Sequence, residues 1–369
     1  MRTVPFFNYP ALFTTEEEDL VRIFRAVGRR GAFILQQELV DFERRLAEYV
    51  GCRFAVGVGN ATDGLQFALI AGGIRSGDEV IICSHTMQAT AAAVHFAGAV
   101  PVPVEVGRDR CIDPAAVAAA VTARTRAIMP TDLNGRTCDM DAIQAICRDR
   151  GLLLFEDAAQ ALGSTFRGKS AGTFGVAAAI SFYPAKTLGC LGDGGAVITD
   201  DPQVHERLLK LRSFGQNEVG ETEFWAMNSR LDNLQAAFLD FRLKDYDKIV
   251  ARRRHIAGLY QGRLASLLQL GLPPAPDSDP RHFDVYQNYE IEAEHRDDLK
   301  KHLADRGVGT LIQWRGQPVH RQHRLGFTAK LPATDAFFAR CLMLPLNMTV
   351  TDDDIMYVCD HVEGFYRGR

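Results

Sequence analysis

The sequence lacks the features that define several classes of protein. Its 369 residues carry a net charge of −4 without a cluster of basic residues, which argues against nucleic acid or an anionic membrane as a partner. No apolar run is long enough to cross a bilayer, and the first ten residues lack the apolar core of a signal peptide. Repeats and low-complexity segments are also missing. The composition is that of an ordinary soluble globular protein.

Metal-binding and disulfide patterns are missing as well. The eight cysteines form no C-x-x-C pair, and the ten histidines show no metal-ligand spacing. Several cysteines lie in apolar or helical stretches, as reduced and buried small side chains do. We therefore predict no metal and a reducing, cytoplasmic location. No G-x-G-x-x-G motif opens a helix after the first strand, which argues against a dinucleotide-binding module.

Apolar strands alternate with helices along most of the chain. The strands are apolar throughout, which indicates a parallel or mixed sheet covered by helices on both faces. The length leaves room for two domains, and we predict a large α/β domain over residues 1–245 and a smaller α+β domain over residues 246–369. We expect one long helix between Asp232 and Leu268 to link them. Residues 309–314 are predicted to form a strand of the smaller domain.

The stretch from Ser181 to Ala196 holds a single lysine, Lys186, among small, apolar and glycine residues. Apolar runs on both sides predict two short buried strands, so the lysine lies at a turn between strands. A desolvated lysine is a good nucleophile and can form a Schiff base with an aldehyde. The alternative is a surface lysine, but no charged residue adjoins it in the sequence. We therefore predict that Lys186 carries an aldehyde cofactor.

A second feature is the junction between the strand that ends at Gly59 and the helix that follows. Thr62 and Asp63 are predicted to open this helix, and the amides of a helix N-terminus bind phosphate well. The alternative is that Thr62 or Asp63 only caps the helix.

A third feature is the acidic pair Glu156-Asp157 at the end of an apolar strand. Sites gather at the carboxyl ends of strands in such sheets, and a carboxylate there can hold a protonated ring nitrogen in a dry site. The alternative is that Asp157 caps a helix.

Taken together, these motifs resemble the DegT/DnrJ/StrS-type family of sugar aminotransferases. These are enzymes that depend on pyridoxal 5′-phosphate and have the aspartate aminotransferase fold, in which a large, mostly parallel mixed sheet is sandwiched by helices and followed by a smaller α+β domain. The resemblance runs from residues 31–35 to residues 344–346. Its most specific parts are E-D-A-A-Q-A at 156–161 and S-F-Y-P-A-K-T-L-G at 181–189.

The resemblance implies a role for each matching residue around the cofactor. Lys186 would form the Schiff base, Asp157 would keep the pyridine nitrogen protonated, and Gln160 would bond the ring hydroxyl. The phosphate contacts would come from Thr62, Asp63 and Ser181 of one subunit and Asn228 of its neighbour. The last contact implies a homodimer with shared active sites.

The resemblance also implies the reaction. An amino group would pass from L-glutamate to a keto sugar, in the biosynthesis of an amino sugar for a surface polysaccharide or a secondary metabolite. A lysine at 186 argues against the family branch that removes a hydroxyl and carries histidine there. The sequence K-T-L-G-C-L-G-D-G-G at 186–195 is similar to that of members acting on nucleotide-linked 3-keto sugars. The alternatives are a 4-keto nucleotide sugar, a free keto sugar acid or cyclitol and, more remotely, a pyridoxal-phosphate-binding regulatory protein.

Three segments depart from the family pattern. Met87 stands where the family places an aromatic ring over the cofactor, and either Met87 or His85 would serve instead. The segments 131–135 and 313–320 differ where members contact substrate. In the second segment Trp314 and Arg315 could stack on a base and pair with a diphosphate or carboxylate, and we predict both, with His320, as substrate contacts. The alternative for Trp314 is packing within the small domain.

Overall fold

The computed structural model describes residues 2–367 of the chain. The helices are α1 (Tyr9–Arg30), α2 (Gln37–Val50), α3 (Ala61–Ala71), α4 (Gln88–Phe96), α5 (Pro114–Ala120), α6 (Met140–Arg150), α7 (Pro202–Leu211), α8 (Asn233–Leu243), α9 (Tyr246–Leu264), α10 (Arg296–Ala304), α11 (Pro332–Arg340) and α12 (Asp352–Arg367). The strands are β1 (Phe54–Val58), β2 (Glu79–Cys83), β3 (Val100–Val104), β4 (Thr125–Met129), β5 (Leu153–Asp157), β6 (Thr165–Phe166), β7 (Lys169–Ser170), β8 (Ala177–Ser181), β9 (Gly195–Thr199), β10 (Leu270–Gly271), β11 (His282–Phe283), β12 (Tyr289–Ala293) and β13 (Cys341–Leu344). Within these residues, no helix is both long and apolar enough to cross a membrane.

A seven-stranded sheet forms the centre of the molecule. Its strand order is β1-β9-β8-β5-β4-β2-β3, and β9 runs antiparallel to both of its neighbours while every other pair is parallel. The predicted mixed, mostly parallel sheet is therefore confirmed. Six strands, β1, β2, β3, β4, β5 and β8, point their carboxyl ends to the same edge of this sheet, which is where sites form in such folds.

Both faces of the sheet are buried, as the unbroken apolar strands predict. Successive strand residues point to opposite faces. Val56 and Val197 pack with α3, α4 and α7 on one face. Ala55 and Ile198 pack with α2 and α8 on the other. The sheet is thus a rigid platform for side chains at its edge.

A smaller antiparallel sheet, β10-β12-β13, has its own apolar core with α10, α12 and the second half of α9. The N-terminal segment joins this core through Val4, which is fully buried and pairs with Val308. The predicted domain boundary between residues 245 and 246 falls between α8 and α9. The division into two domains stays a prediction.

The single long helix expected between Asp232 and Leu268 is wrong. Two helices, α8 and α9, occupy this stretch, because Asp245 has φ −111° and ψ 14°, outside the helical region, and breaks the hydrogen-bond ladder. The break redirects the chain so that Tyr246 is fully buried beneath the large sheet, where its hydroxyl donates to the Leu162 carbonyl at 2.8 Å.

The strand predicted over residues 309–314 is also wrong. Residues 313–316 form a 3₁₀ turn, and Trp314 and Arg315 have φ values of 45° and 58°, in the left-handed region that a strand excludes. Leu311 alone pairs with the smaller sheet, through Met343. The turn points Gln313 inward, where its side chain donates to Asn134 Oδ1 at 2.7 Å.

Candidate active site

A cavity of about 480 Å³ opens at the edge of the large sheet where the parallel strands have their carboxyl ends. Asp157 is the last residue of β5 and Ser181 is the last residue of β8. Six of the sequence-predicted residues line this cavity: Thr62, Met87, Asp157, Gln160, Ser181 and Lys186. Residues that lie far apart in the chain are therefore brought together by the sheet topology.

Lys186 lies in the loop between the antiparallel strands β8 and β9, as its sequence context predicts. Its side chain is half-buried against the cavity. Desolvation lowers the pKa of Lys186 to about 8, and the negative charge of Asp157 opposes this shift. About a tenth of the amine is therefore neutral and nucleophilic at pH 7, far more than for an ordinary lysine.

Asp157 is held by a chain of buried hydroxyls. Thr90 donates to its Oδ2 at 2.6 Å, and Thr86 Oγ1 lies 2.7 Å from Thr90 Oγ1 and 2.8 Å from Thr131 Oγ1. We call Asp157 and these three threonines the cavity floor. Burial raises the pKa of Asp157, while the Thr90 hydroxyl, the Ala159 amide and the charge of Lys186 oppose the rise. The floor thus presents an oriented carboxylate that favours a cationic partner.

Two further buried carboxyl groups adjoin Asp157 but do not line the cavity. Glu156 points to the opposite side of β5, where it accepts from the amides of Gly172 at 2.7 Å and Phe174 at 2.6 Å, and burial raises its pKa to about 7. Asp132 is fully buried and accepts from the Cys138 amide at 2.9 Å, and burial raises its pKa also. Asp157 is the member of this group that can act on a bound molecule.

The N-terminus of α3 is organised by a residue that sequence reasoning missed. Asn60 caps the helix, because its Oδ1 accepts from the Asp63 amide at 2.9 Å. The amides of Ala61 and Thr62 have no acceptor one turn back, and both residues line the cavity. They therefore form the anion-binding end of the helix.

Asp63 does not have the surroundings expected of a phosphate contact. Its Oδ2 accepts from Asn60 at 3.0 Å and from the Ser229 hydroxyl at 2.5 Å, and Asp63 is not among the lining residues. Its amide is already taken by the cap. Asp63 instead ties α3 to the segment before α8, and it would repel a phosphate if it turned inward.

Gly195 explains part of the glycine-rich sequence after Lys186. A Cβ atom at this position would lie 2.6 Å from the Asn60 carbonyl carbon and 2.7 Å from the Ala61 nitrogen. The absence of a side chain lets β9 approach the N-terminus of α3 closely. The anion-binding end of the helix is thereby set beside Ser181.

Gln160 belongs to a polar network centred on Asn134. Gln160 Oε1 accepts from the Asn134 amide at 2.9 Å and from Asn288 Nδ2 at 3.3 Å. Asn134, with φ 55°, also donates to Glu290 at 2.7 Å and accepts from Gln313. Since the carbonyl oxygen of Gln160 is engaged here, its NH₂ group is left to donate into the cavity. An NH₂ donor suits a phenolate oxygen.

Met87, and not His85, faces the cavity. Met87 is 55% exposed and lines it. His85 is fully buried, with Nδ1 3.0 Å from the Arg110 carbonyl oxygen and Nε2 3.3 Å from Glu290. His85 packs edge-on against Trp314. The expectation that His85 could cover the cofactor ring in place of Met87 is therefore wrong.

The structure does not bring Trp314, Arg315 and His320 to the cavity lining. Trp314 packs on Phe338 within an apolar cluster. Both ring nitrogens of His320 are engaged, with Nδ1 2.7 Å from Ser84 Oγ and Nε2 3.0 Å from Asp335. Substrate contact by these residues stays a prediction, and packing accounts for Trp314 and His320 as they stand.

Asn228 lies in a loop and is not among the residues that line the cavity of its own chain. The residue is exposed, whereas the following Ser229 is buried and accepts from the Gly59 amide at 2.9 Å. Residues 214–228, which we call the exposed loop, carry Trp225 with 99% of its surface open, Phe214 with 48% and Met227 with 45%. Large exposed apolar side chains that are concentrated in one segment can mark an interaction surface.

Sequence reasoning missed Thr90, Asn60, Asn134 and Asn288 as site residues. A signal existed for Asn60, because asparagine directly before a helix is a common cap. Thr90 lies in the first turn of α4, whereas Thr86 precedes that helix, so helical spacing gave no signal that their hydroxyls meet. Asn134 and Asn288 gave no local signal, since their partners are far away in the chain.

These groups fit pyridoxal 5′-phosphate. The amine of Lys186 suits an aldehyde, the Asp157 carboxylate suits a protonated pyridine nitrogen, and the NH₂ group of Gln160 suits a ring hydroxyl. The N-terminus of α3 and the Ser181 hydroxyl suit a phosphate. The donor set thus matches every polar group of the cofactor.

Comparison with known proteins agrees with this geometry. The model of the DegT/DnrJ/EryC1/StrS aminotransferase family matches residues 14–363. A dTDP-3-amino-3,4,6-trideoxy-alpha-D-glucose transaminase of Streptomyces venezuelae is 40% identical over 365 residues, covering 97% of this chain and 95% of the relative. A UDP-2-acetamido-2-deoxy-3-oxo-D-glucuronate aminotransferase of Pseudomonas aeruginosa is 35% identical, covering 90% and 92%. The crystal structure of S. venezuelae DesV with a ketimine intermediate superposes with a TM-score of 0.95 at 39% identity, covering 99% of both chains.

The chain therefore belongs to the DegT/DnrJ/EryC1/StrS aminotransferase family. It is an aminotransferase that depends on pyridoxal 5′-phosphate and has the α/β fold of that family.

Proposed function

We propose that the protein transfers an amino group from L-glutamate to the 3-position of a nucleotide-linked keto sugar, in the biosynthesis of an amino sugar. The observation that carries this proposal is the cavity that combines a lysine of lowered pKa with an oriented buried carboxylate. The names of the two relatives described above support the sugar class, because one is a 3-amino sugar transaminase and the other acts on a 3-oxo sugar. Their nucleotides and sugars differ, so the proposal extends to the 3-position and not to a particular sugar.

The proposed roles follow from the contacts of each residue. When bound, pyridoxal phosphate supplies an aldehyde that accepts and releases an amino group and a ring that takes up negative charge. Asp157, held by Thr90, stabilises positive charge at the ring nitrogen. Lys186 Nζ, in its neutral form, removes the proton from the α-carbon of glutamate and later returns a proton to the sugar carbon. Thr62 and Ser181 hold the phosphate, and Met87 covers the ring.

We propose that two copies of the chain form a homodimer with shared active sites. Support comes from the exposed loop, whose Trp225 and Met227 leave apolar surface open near the exposed Asn228 in the sequence. Burying this surface against a second copy would be favourable at roughly 25 cal/mol per Å². In that arrangement Asn228 would reach the phosphate site of the neighbouring chain.

The cytoplasmic location stays a prediction. Support comes from the eight cysteines, which are all free thiols, and seven of them are buried. Thiols persist in a reducing compartment.

The reaction is tested with the purified protein in two half-reactions. L-glutamate should convert the bound cofactor to its amine form, and a 3-keto nucleotide sugar should then restore the original visible absorbance. Lys186→Ala should lose both the absorbance of covalently bound cofactor and all turnover. Unchanged turnover in Lys186→Ala would contradict the proposal. Restoration by a 4-keto nucleotide sugar or a free keto sugar alone would instead favour those alternatives, and DNA binding without any turnover would favour a regulator.

The shared site is tested by complementation. Asn228→Ala and Lys186→Ala chains should each form weakly active or inactive dimers. A mixed dimer holds one site with both native residues, so mixing the two variants should restore activity. Because Asn228 and Lys186 would sit in the same site only if they come from different chains, failure to restore activity would argue against the shared site.

A further inference from the structure

Gln287 holds both peptide groups that flank Lys186. Its Oε1 accepts from the Thr187 amide at 2.8 Å, and its Nε2 donates to the Ala185 carbonyl at 2.8 Å. One side-chain amide thus pairs with the residue before the lysine and the residue after it. Both hydrogen bonds satisfy the amide in a single orientation, so its oxygen and nitrogen cannot exchange places without losing both.

The segment that carries Gln287 is itself fixed. Gln287 is 5% exposed, and its own carbonyl accepts from Arg253 at 3.0 Å. Arg253 is 6% exposed and donates from the same nitrogen to the carbonyl of Tyr286 at 3.0 Å. The buried guanidinium group therefore holds the segment against α9. The backbone of Gln287 is thus fixed where its side chain contacts the loop of Lys186.

The next residue reaches the other side of the cavity. Asn288 Nδ2 donates to Asn134 Oδ1 at 2.8 Å and lies 3.3 Å from Gln160 Oε1. Gln287 and Asn288 both line the cavity. Two consecutive residues before β12 therefore contact the loop of the lysine and the residue that faces the ring hydroxyl.

We propose that Gln287 is a positioning residue that sets where the Lys186 amine stands over the cofactor. The proposal rests on the proposed role of Lys186. The amine of lysine is carried on a flexible four-carbon stem, and a loop backbone moves more readily than a strand. Fixing the peptide groups on both sides of the lysine restricts the origin of that stem. A displacement of about 1 Å at a reacting group can cost roughly 10²-fold in rate.

A merely structural role makes a different prediction. If Gln287 only joined two parts of the fold, its removal would lower thermal stability and leave the chemistry of Lys186 unchanged. Gln261 serves as the matched control, because its Nε2 donates to the Pro273 carbonyl at 2.6 Å and it is only part-buried, outside the cavity lining.

The test compares Gln287→Met, Gln287→Glu and Gln261→Met with the wild type. Gln287→Met keeps much of the side-chain volume and removes both hydrogen bonds. We expect its apoprotein to take up pyridoxal phosphate more slowly, followed by visible absorbance, and its kcat to fall about 10- to 100-fold with little change in KM. Gln261→Met should match the wild type in both measurements.

Gln287→Glu separates the two hydrogen bonds. The carboxylate still accepts from the Thr187 amide but cannot donate to the Ala185 carbonyl, so kcat should lie between those of the wild type and Gln287→Met. The added negative charge near Lys186 favours the protonated amine. The pH at which the apoprotein captures the cofactor should therefore shift upward.

The outcomes separate this proposal from the proposed function. If Gln287→Met loses only thermal stability and keeps the uptake rate and kcat of the wild type, Gln287 is not a positioning residue. If Gln287→Met fails to fold, as judged by circular dichroism, the near-isosteric Gln287→Glu decides, and wild-type behaviour in that variant overturns the proposal. Wild-type protein that binds no pyridoxal phosphate at Lys186 overturns the proposed function and this proposal with it.

Discussion

The cavity floor and the exposed loop are built in opposite ways. In the floor, the hydroxyl groups of Thr86 and Thr90 and the carboxylate of Asp157 are hydrogen-bonded within one chain. In the exposed loop, by contrast, the large apolar side chain of Trp225 is almost fully exposed. The polar groups of the floor are therefore hydrogen-bonded within a single chain, whereas the large apolar side chains of the loop are left open. In the proposed homodimer, Asp157 would serve the chemistry and Trp225 the assembly, so these two residues can be perturbed separately.

The largest effect is expected from the floor. Asp157→Asn removes the negative charge that we propose pairs with the ring nitrogen, and kcat should fall about 10²- to 10³-fold, as when an electrostatic partner of the reacting group is lost. The control is Glu156→Gln, which changes the neighbouring carboxylate on the other side of β5. That variant should lose stability and keep the visible spectrum of the bound cofactor. Equal kinetic losses in both variants would contradict the separate role of Asp157.

The next effect concerns the exposed loop. Trp225→Ala should raise the dimer dissociation constant about 30-fold, the change expected when a hot-spot aromatic residue is removed. The unfolding free energy of the isolated chain should stay within about 0.5 kcal/mol of the wild type. Sedimentation equilibrium over a dilution series measures the dissociation constant. Leu268→Ala is the matched control, because Leu268 is 94% exposed outside the loop. A similar rise of the dissociation constant in both variants would argue against the exposed loop as the dimer interface.

A smaller effect tests how the hydroxyl groups of the cavity floor influence the pKa of Asp157. Thr90→Val removes the hydroxyl that donates to the carboxylate. Because that donor stabilises the charged form, its loss raises the pKa of Asp157 further, and ionised Asp157 is lost at a higher pH. The acidic limb of the kcat profile should move upward by roughly one to two pH units. Thr86→Val, which has no direct bond to Asp157, should move it less. If the two variants moved the acidic limb equally, the proposed role of the Thr90 hydrogen bond would be contradicted.

The smallest effect is the pH dependence of cofactor capture. Because desolvation lowers the pKa of Lys186 to about 8, the neutral amine becomes more abundant as the pH rises through that value. The rate at which the apoprotein captures pyridoxal phosphate should rise about tenfold between about pH 7 and 9, with a midpoint near 8. Stopped-flow absorbance measures this rate, and Lys186→Ala corrects for other lysines. A midpoint near the ordinary value of 10.5 would contradict the desolvated setting.

Much of the cavity was predictable because its strongest signals are local. Lys186 stands between two apolar runs, and those runs form the antiparallel strands β8 and β9. Asp157 ends an apolar run, which forms β5. Local signals misled where the conformation depends on a contact with a residue far away in the chain. Residues 309–314 look like a strand, but the inward hydrogen bond of Gln313 accompanies a left-handed turn at Trp314.

The sequence by itself determined the class of the sheet, the place of Lys186 in a loop and the place of Asp157 at a strand end. These follow from apolar runs and their boundaries, which depend on residues next to one another in the chain. Only the tertiary structure decided that Asn60 caps α3 toward the cavity, that Met87 faces the cavity and His85 does not, and that Gln287 grips the loop of Lys186. The physical reason is distance along the chain. Gln287 is 100 residues from Thr187, whose amide donates a hydrogen bond to it. No local pattern records a contact that forms only when two parts of the fold meet.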